Sequence, residues 1–160
     1  ASVFAHVSDR DFAGFMQGVD PLELRWSRVV ETIAAANPDS PILVWCNEDT
    51  PLIWPELLAA LADCPPDMPL KGRLDLLATI MQPEGLERLR AYLQKHPMTD
   101  PARRRRVVAA FLEKYARPEA VEQEIDLPGW TAELIEAMTL DYEADMERIR
   151  QIPGVLFLAP

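Results

Sequence analysis

The chain has 160 residues, of which 49% are hydrophobic and 26% are charged, a balance typical of a soluble globular protein. Its formal net charge of -10 argues against nucleic-acid and anionic-membrane partners, because a binder of phosphate groups would first have to overcome its own field. The sequence contains no apolar run long enough to span a bilayer and no basic leader before an apolar core. It therefore predicts no membrane span and no secretory signal, and it favours a cytoplasmic location.

Helical signals dominate the first third of the chain. Ser8 or Asp9 can cap a short helix that ends at Gly18, and Asp20 followed by Pro21 predicts a longer helix over about 21–36. Apolar residues recur at helical spacing in this second helix, so one face is expected to pack on the core. These residues are Leu22, Trp26, Val29, Val30 and Ile33.

A short strand is predicted at about 42–46, where a β-branched and aromatic run follows a proline. Asn47, Glu48 and Asp49 come directly after it. Ligands in open α/β sheets gather beyond the carboxyl ends of strands, so these three residues are the candidate rim of a site. Carboxylates in this position also cap helices or pair with arginines, and that structural interpretation is favoured about two to one.

The rest of the chain is predicted to be helical up to a final strand at about 155–158. Two adjacent prolines make 64–69 a candidate subdomain boundary. The predicted helices are 54–62, 74–81, 83–95, one from about 101 to a stop near Pro118, and about 132–151. Two short strands with helices around them do not readily form an independent sheet. The sequence therefore indicates an α/β fragment, predominantly helical, or a helical domain with a minimal two-stranded element.

Three segments carry a resemblance to a known family. They are Phe12–Met16 with Leu24–Ser27, then Pro41–Asp49, then the ending from Pro128–Trp130 to Val155–Leu158. Together they resemble the C-terminal portion of bacterial sulfotransferase-like proteins, in which a strand ends in tyrosine, glutamate and aspartate. Asn47 stands in the tyrosine position. The resemblance implies the later half of a P-loop type α/β fold, with 1–160 either a single domain or the C-terminal part of a larger one.

The same resemblance implies phosphoadenosine phosphosulfate as the sulfuryl donor. The Gly-rich loop that would hold this donor is not found, since the six glycines are scattered. Ser2 is a candidate contact to the 3′-phosphate. No cofactor is expected to bind the chain on its own, and whether the chain is an enzyme stays open. If it is active, the reaction uses residues outside it.

Several charged or reactive residues are better explained by structure than by chemistry. Four consecutive arginines at 103–106 point to different sides of a helix and favour salt bridges over ligand binding. The acidic residues of the last helix, from Glu133 to Glu147 with Asp145 among them, are expected to form a solvated face rather than a metal site. Cys46 and Cys64 are expected to be reduced thiols, the first buried and the second in a loop.

The remaining candidates give no catalytic arrangement. His6 and His96 have no serine or cysteine placed to form a nucleophilic pair, and Trp45 and Trp54 are expected in the core. Two functions are left. The chain is the C-terminal portion of a sulfotransferase-like protein that supplies acceptor-side helices, or it is a noncatalytic, mostly helical interaction domain. Its expected partner is the remainder of its own chain, another protein or a second copy.

Overall fold

The computed structural model describes residues 12–65, 68, 70–121 and 129–160, and helices account for most of them. The helices are α1 (Phe12–Met16), α2 (Trp26–Ala36), α3 (Thr50–Leu61), α4 (Asp75–Ile80), α5 (Pro83–Lys95), α6 (Pro101–Tyr115), α7 (Pro118–Val121) and α8 (Ala132–Arg150). Within these ranges, strands β1 (Ile42–Trp45) and β2 (Val155–Leu158) form a parallel two-stranded sheet. The predicted combination of a mostly helical chain with two short strands is confirmed. The likeness to a sulfotransferase-like fold stays a prediction.

The chain divides into two compact units, which are described separately. Unit 1 comprises Ala1–Leu43 and Glu124–Phe157, and unit 2 comprises Val44–Gln123 and Leu158–Pro160. The candidate boundary at 64–69 falls inside unit 2, and residues 66, 67 and 69 lie outside the described part of the chain.

Unit 1 is built on the packing of α2 against α8. Its buried residues include Val30 of α2 together with Met146 and Ile149 of α8. The Asp145 carboxylate is also buried, and it accepts hydrogen bonds from the Ser27 amide at 3.0 Å and from the Ser27 hydroxyl. Ser27 lies in the first turn of α2, where amides have no partner within the helix. Asp145 therefore caps α2 from a different helix, with its negative charge at the positive end of the helix dipole.

The predicted helix at 21–36 is corrected in two respects. Residues Pro21–Glu23 form a separate 3-10 turn capped by the Asp20 side chain, and α2 begins only at Trp26 after extended backbone at Leu24 and Arg25. Only part of the apolar face expected on the core is buried. Val30 packs inside as predicted, but the residues beside it are exposed, because the Ser27–Asp145 hydrogen bonds turn the Ser27 side of α2 toward α8. The exposed residues of this face are Trp26 at 63%, Val29 at 45% and Ile33 at 46%.

Unit 2 packs α3 and α5 against α6, with α4 beside α3 and α5. One cluster of its core consists of Leu77, Met81, Leu86, Leu89 and Val108. Each fully buried side chain of this size contributes about 1.5–3 kcal/mol through removal of apolar surface from water. The ends of the helices are joined by backbone hydrogen bonds of 2.8 Å from Gln82 to Tyr115 and from Arg117 to Ile80.

Helix α5 and strand β2 have the bounds that the sequence predicts, and α6 begins where predicted and ends at Tyr115, shortly before the predicted stop near Pro118. The starts of both helices carry local signals. Pro83 begins α5, and the Asp100 side chain accepts from the Ala102 amide at 3.0 Å to cap α6. Helix α3 is longer than predicted and begins at Thr50, immediately after Asn47–Asp49. Strand β1 ends one residue earlier than predicted, at Trp45.

Candidate functional site

The turn Asn47–Asp49 lies where the sequence places it, between the carboxyl end of β1 and the start of α3. The three residues form one 3-10 turn, with the Asp49 amide donating to the Cys46 carbonyl at 3.1 Å. Asn47 and Glu48 are exposed, and Asp49 is half-buried. Asp49 is the N-cap residue of α3, although its side chain forms no capping hydrogen bond. The capping part of the structural interpretation is therefore not seen for Asp49, and the choice between a structural and a functional role for this turn stays a prediction.

The chemistry available at this turn is that of oxygen acceptors. The Glu48 and Asp49 carboxylates can accept hydrogen bonds from a substrate hydroxyl, and their charge disfavours a phosphate or sulfate beside them. Thr50 adds a hydroxyl oxygen that is shielded from solvent and has no hydrogen-bond partner among the described residues. The turn is thus better suited to an acceptor hydroxyl than to a nucleotide donor.

The other sequence candidates that the structure describes are held by contacts of their own. Ser2 and His6 lie outside the described residues. His96 follows α5 and packs against Tyr92, with the two ring centroids 4.6 Å apart. Trp54 is partly buried and donates from its indole nitrogen to the Gly72 carbonyl at 3.2 Å, as expected of a core aromatic. Cys46 is buried and Cys64 half-buried, and both are free thiols.

A cavity of about 440 Å³ lies in unit 2 beside the second half of α3 and the start of α6, and we refer to it as the basic cavity. Its apolar wall includes Pro55, Ala59, Ala60 and Met98. Its polar wall includes Glu56, Arg73, Thr99 and Arg104.

The Glu56 carboxylate in the basic cavity is held by two arginines of α6. Its Oε1 accepts from Arg105 at 3.0 Å, and its Oε2 accepts from Arg104. All three side chains are 19% exposed or less, so water screens the pairs less than on an open surface. The prediction that 103–106 forms salt bridges is confirmed for Arg104 and Arg105.

Sequence reasoning missed Glu56 and Arg73 as site residues. Glu56 is the one charged residue of α3, in which the other eleven positions are apolar except for Thr50. A lone carboxylate in an otherwise apolar helix needs a cation when the helix packs. The sequence of α3 could therefore have predicted an ion pair for Glu56. Arg73 follows a glycine in a turn and has no comparable signal in the sequence.

Helix α8 departs from the predicted solvated face at Asp145, which is buried. Asp145 lies three residues after Tyr142 and four before Ile149, at the spacing of the apolar seam, so its side chain points where the seam does. At the start of the helix, hydrogen bonds from its own amide and from the Thr131 hydroxyl lower the pKa of Glu133 below 4.5. Among the described residues, histidines, cysteines and carboxylates form no group of three placed to hold a metal ion.

Comparison with protein-family models, with curated proteins and with solved structures found no match to this chain. In the described part of the chain, no helix combines the length and the apolar character needed to cross a membrane.

Proposed function

We propose that this chain is the acceptor-side part of a sulfotransferase-like α/β protein. The observation that carries the proposal is the parallel pairing of β1 with β2, which puts Asn47, Glu48 and Asp49 at the carboxyl end of a parallel sheet. That edge is where α/β proteins bind substrates. Glu48 and Asp49 then hold the acceptor hydroxyl, and the donor phosphoadenosine phosphosulfate is held by residues outside the chain.

The exposed face of α2 supports the same proposal. Trp26, Val29 and Ile33 form an apolar stripe at helical spacing, and Leu156 of β2 is 60% exposed. Parallel sheets are usually covered on both faces, and a single stripe of this kind usually packs against another element. We assign the covering element to the remainder of the same protein.

Binding of adenosine 3′,5′-bisphosphate tests whether the donor site lies outside this chain, as the proposal requires. Isothermal titration calorimetry should detect binding to the intact source protein and none to the 160-residue chain. Equal affinity for both would contradict the proposal, as would no binding to an intact protein that is folded. Mass spectrometry of the source protein should give a mass well above the 18.1 kDa of this chain.

The acceptor role of the turn is tested in the intact protein by the paired variant Glu48→Gln with Asp49→Asn. We expect KM for a hydroxyl acceptor to rise about tenfold, because hydrogen bonds to charged groups are the strongest that the turn can offer. Donor affinity should stay unchanged. Glu87→Gln, an exposed change on α5, is the matched control. Unchanged acceptor kinetics in the paired variant would remove Glu48 and Asp49 from the site.

The second candidate is a noncatalytic, mostly helical interaction domain, and the exposed apolar face of α2 favours it as well. The Val29→Lys variant separates the two. If the remainder of the protein covers this face, the substitution lowers the unfolding temperature of the intact protein and leaves that of the 160-residue chain unchanged. A natural product of 18.1 kDa would instead support the interaction domain.

A further inference from the structure

The basic cavity concentrates positive charge in a chain whose formal net charge is -10. Arg73 and Arg104 line it, and Arg105, the next residue of α6, pairs with Glu56 from outside the wall. The Glu56 carboxylate is the one acidic group in the wall that the described residues form, and it is shared between Arg104 and Arg105. The wall itself therefore holds two guanidinium charges against one carboxylate, and that carboxylate is also shared with Arg105.

The cavity arginines also have hydrogen-bond donors to spare. Arg104 donates through Nη2 to Glu56, and its other guanidinium hydrogens have no acceptor among the described residues. Arg73 has no ion pair or hydrogen bond with any described side chain, and it is only half exposed. A guanidinium is built to donate in pairs to an oxyanion, so the two side chains suit a planar or tetrahedral anionic group.

The start of α6 adds to this charge to a limited degree. Thr99 and Pro101 belong to the cavity wall, next to the positive end of a 15-residue helix. The Asp100 carboxylate already caps that end through the Ala102 amide and offsets part of the dipole. The arginines, rather than the helix end, are therefore the main attraction for an anion.

The size and the walls of the cavity select an organic anion over an inorganic ion. About 440 Å³ is within the range of small-molecule sites. Pro55, Ala59, Ala60 and Met98 offer apolar surface that an inorganic phosphate or sulfate would leave unused. A ligand with an apolar body and one anionic head group can contact the apolar wall and the arginines at the same time.

We propose that the basic cavity binds a small organic oxyanion, with its head group on Arg73 and Arg104 and its apolar body against Pro55, Ala59, Ala60 and Met98. The head group is a carboxylate, a sulfate or a phosphate, which share the oxygen acceptors that guanidinium groups recognise. This site is separate from the acceptor turn and does not depend on the sulfotransferase-like proposal.

Calorimetric titration of the whole chain at low salt tests the proposal with three probes, 4-phenylbutyrate, 4-nitrophenyl sulfate and 4-nitrophenyl phosphate. At least one should bind with a dissociation constant of about 1 mM or tighter, as expected for ligands of this size. The probe that binds tightest identifies the head group. Neutral 4-phenylbutanol and inorganic phosphate should each bind at least tenfold more weakly than that probe. Equal binding of 4-phenylbutanol, or no binding of any probe, would overturn the proposal.

Two variants locate the site without disturbing the Glu56 ion pairs. Arg73→Gln should weaken binding of the best probe about tenfold, through loss of a charged hydrogen-bond donor. Ala60→Trp, at an exposed position of the wall, should abolish binding by filling the cavity. Arg106→Gln removes one exposed charge outside the cavity and should change affinity less than twofold. Binding that survives both Arg73→Gln and Ala60→Trp, in variants with unchanged circular dichroism, would place the anion elsewhere and overturn the proposal.

Discussion

A carboxylate buried between two helices is costly unless its oxygens accept hydrogen bonds, and Asp145 meets this condition through one residue. The Ser27 amide and hydroxyl each donate to a different carboxylate oxygen. Because Ser27 is in the first turn of α2, the same two bonds satisfy the carboxylate and an amide that the helix leaves free. The contact therefore fixes both the start of α2 and the side of it that faces α8.

We expect Asp145→Ala to lower the free energy of unfolding by about 2–4 kcal/mol, because it leaves the Ser27 amide and hydroxyl buried without a partner. Chemical denaturation followed by circular dichroism measures this change. Glu143→Ala, an exposed change on the same helix, should stay within about 0.5 kcal/mol of the parent chain. A loss of stability no larger than that of the control would mean that the contact does not hold α2.

Glu133 gives the structure a specific dependence on pH. Its pKa is lowered by hydrogen bonds from its own amide and from Thr131, so the folded state favours the ionised carboxylate. This contribution is complete above the ordinary value of 4.5 and is lost as the pH falls through the lowered pKa. The start of α8 should therefore weaken in acid below that range.

The comparison of Glu133→Gln with the parent chain isolates this contribution. The parent should unfold at a higher temperature at pH 7, and the difference should shrink as the pH is lowered from 4.5 toward 3. Glu136→Gln, also exposed on α8, controls for the loss of one charge. A difference that is constant over the whole pH range would contradict the assignment to Glu133.

At the scale of elements, α5 and α6 approach closely at Gly85. A methyl group on Gly85 would lie 2.3 Å from the Tyr115 Cβ, which is far inside van der Waals contact. The glycine thus allows the two helices to pack at this distance, although glycine inside a helix costs about 1 kcal/mol relative to alanine. The packing of α5 on α6 depends on this one small residue.

Gly85→Ala should therefore destabilise the chain by about 1–3 kcal/mol despite its better helix propensity, because the helices must move apart. Thermal unfolding measures the effect. Tyr115→Ala should not fully rescue the variant, because it removes the close contact with Cγ at 2.5 Å but retains the Cβ at 2.3 Å. Glu87→Ala, exposed on the same helix, is the control for helix propensity. A stabilising Gly85→Ala would show that propensity outweighs the close contact.

The elements that sequence reasoning located well are those with local signals. Pro83, the Asp100 cap and the Thr131 cap start three helices, and each signal lies within a few residues of its effect. The orientation of α2 was predicted only in part, with Val30 buried as expected and Trp26 exposed. It depends on Asp145, which is 118 residues away from Ser27. No periodicity within α2 could reveal that partner.

The candidate sites also differ in whether they depend on local or on distant residues. The turn after β1 could be found from Asn47–Asp49 alone, since it depends on one strand and the residues that follow it. The basic cavity joins Glu56 to Arg104 across 48 residues of sequence, so no local pattern contains it. A single sequence shows that such charged residues need partners. It does not show which residues become the partners, because that depends on the fold.

At the scale of the whole molecule, the net charge of -10 destabilises the folded state through repulsion between like charges, and salt weakens this repulsion. We expect the unfolding temperature to rise when sodium chloride is increased from 20 to 300 mM, because screening weakens the repulsion among surface carboxylates. The surface ion pairs that screening also weakens are individually worth little. A rise of about 2–4 °C corresponds to roughly 1 kcal/mol for a chain of this length.

A variant with less negative charge separates this effect from other actions of salt. Glu87→Lys with Glu143→Lys changes two exposed positions and should unfold at a higher temperature in low salt, with a smaller response to added salt. An unfolding temperature that falls with salt in both proteins would show that ion pairs, rather than repulsion, dominate.

The distance in sequence between Ser27 and Asp145 also bears on the order in which the molecule is made. Synthesis proceeds from the N-terminus, so α2 leaves the ribosome long before the residue that caps it exists. The contacts of α5 with α6 close a much shorter loop and need only residues up to Tyr115. We therefore expect the amides of unit 2 to become protected from hydrogen exchange on the nascent chain before α8 is made. At that stage the first turn of α2 should still be frayed.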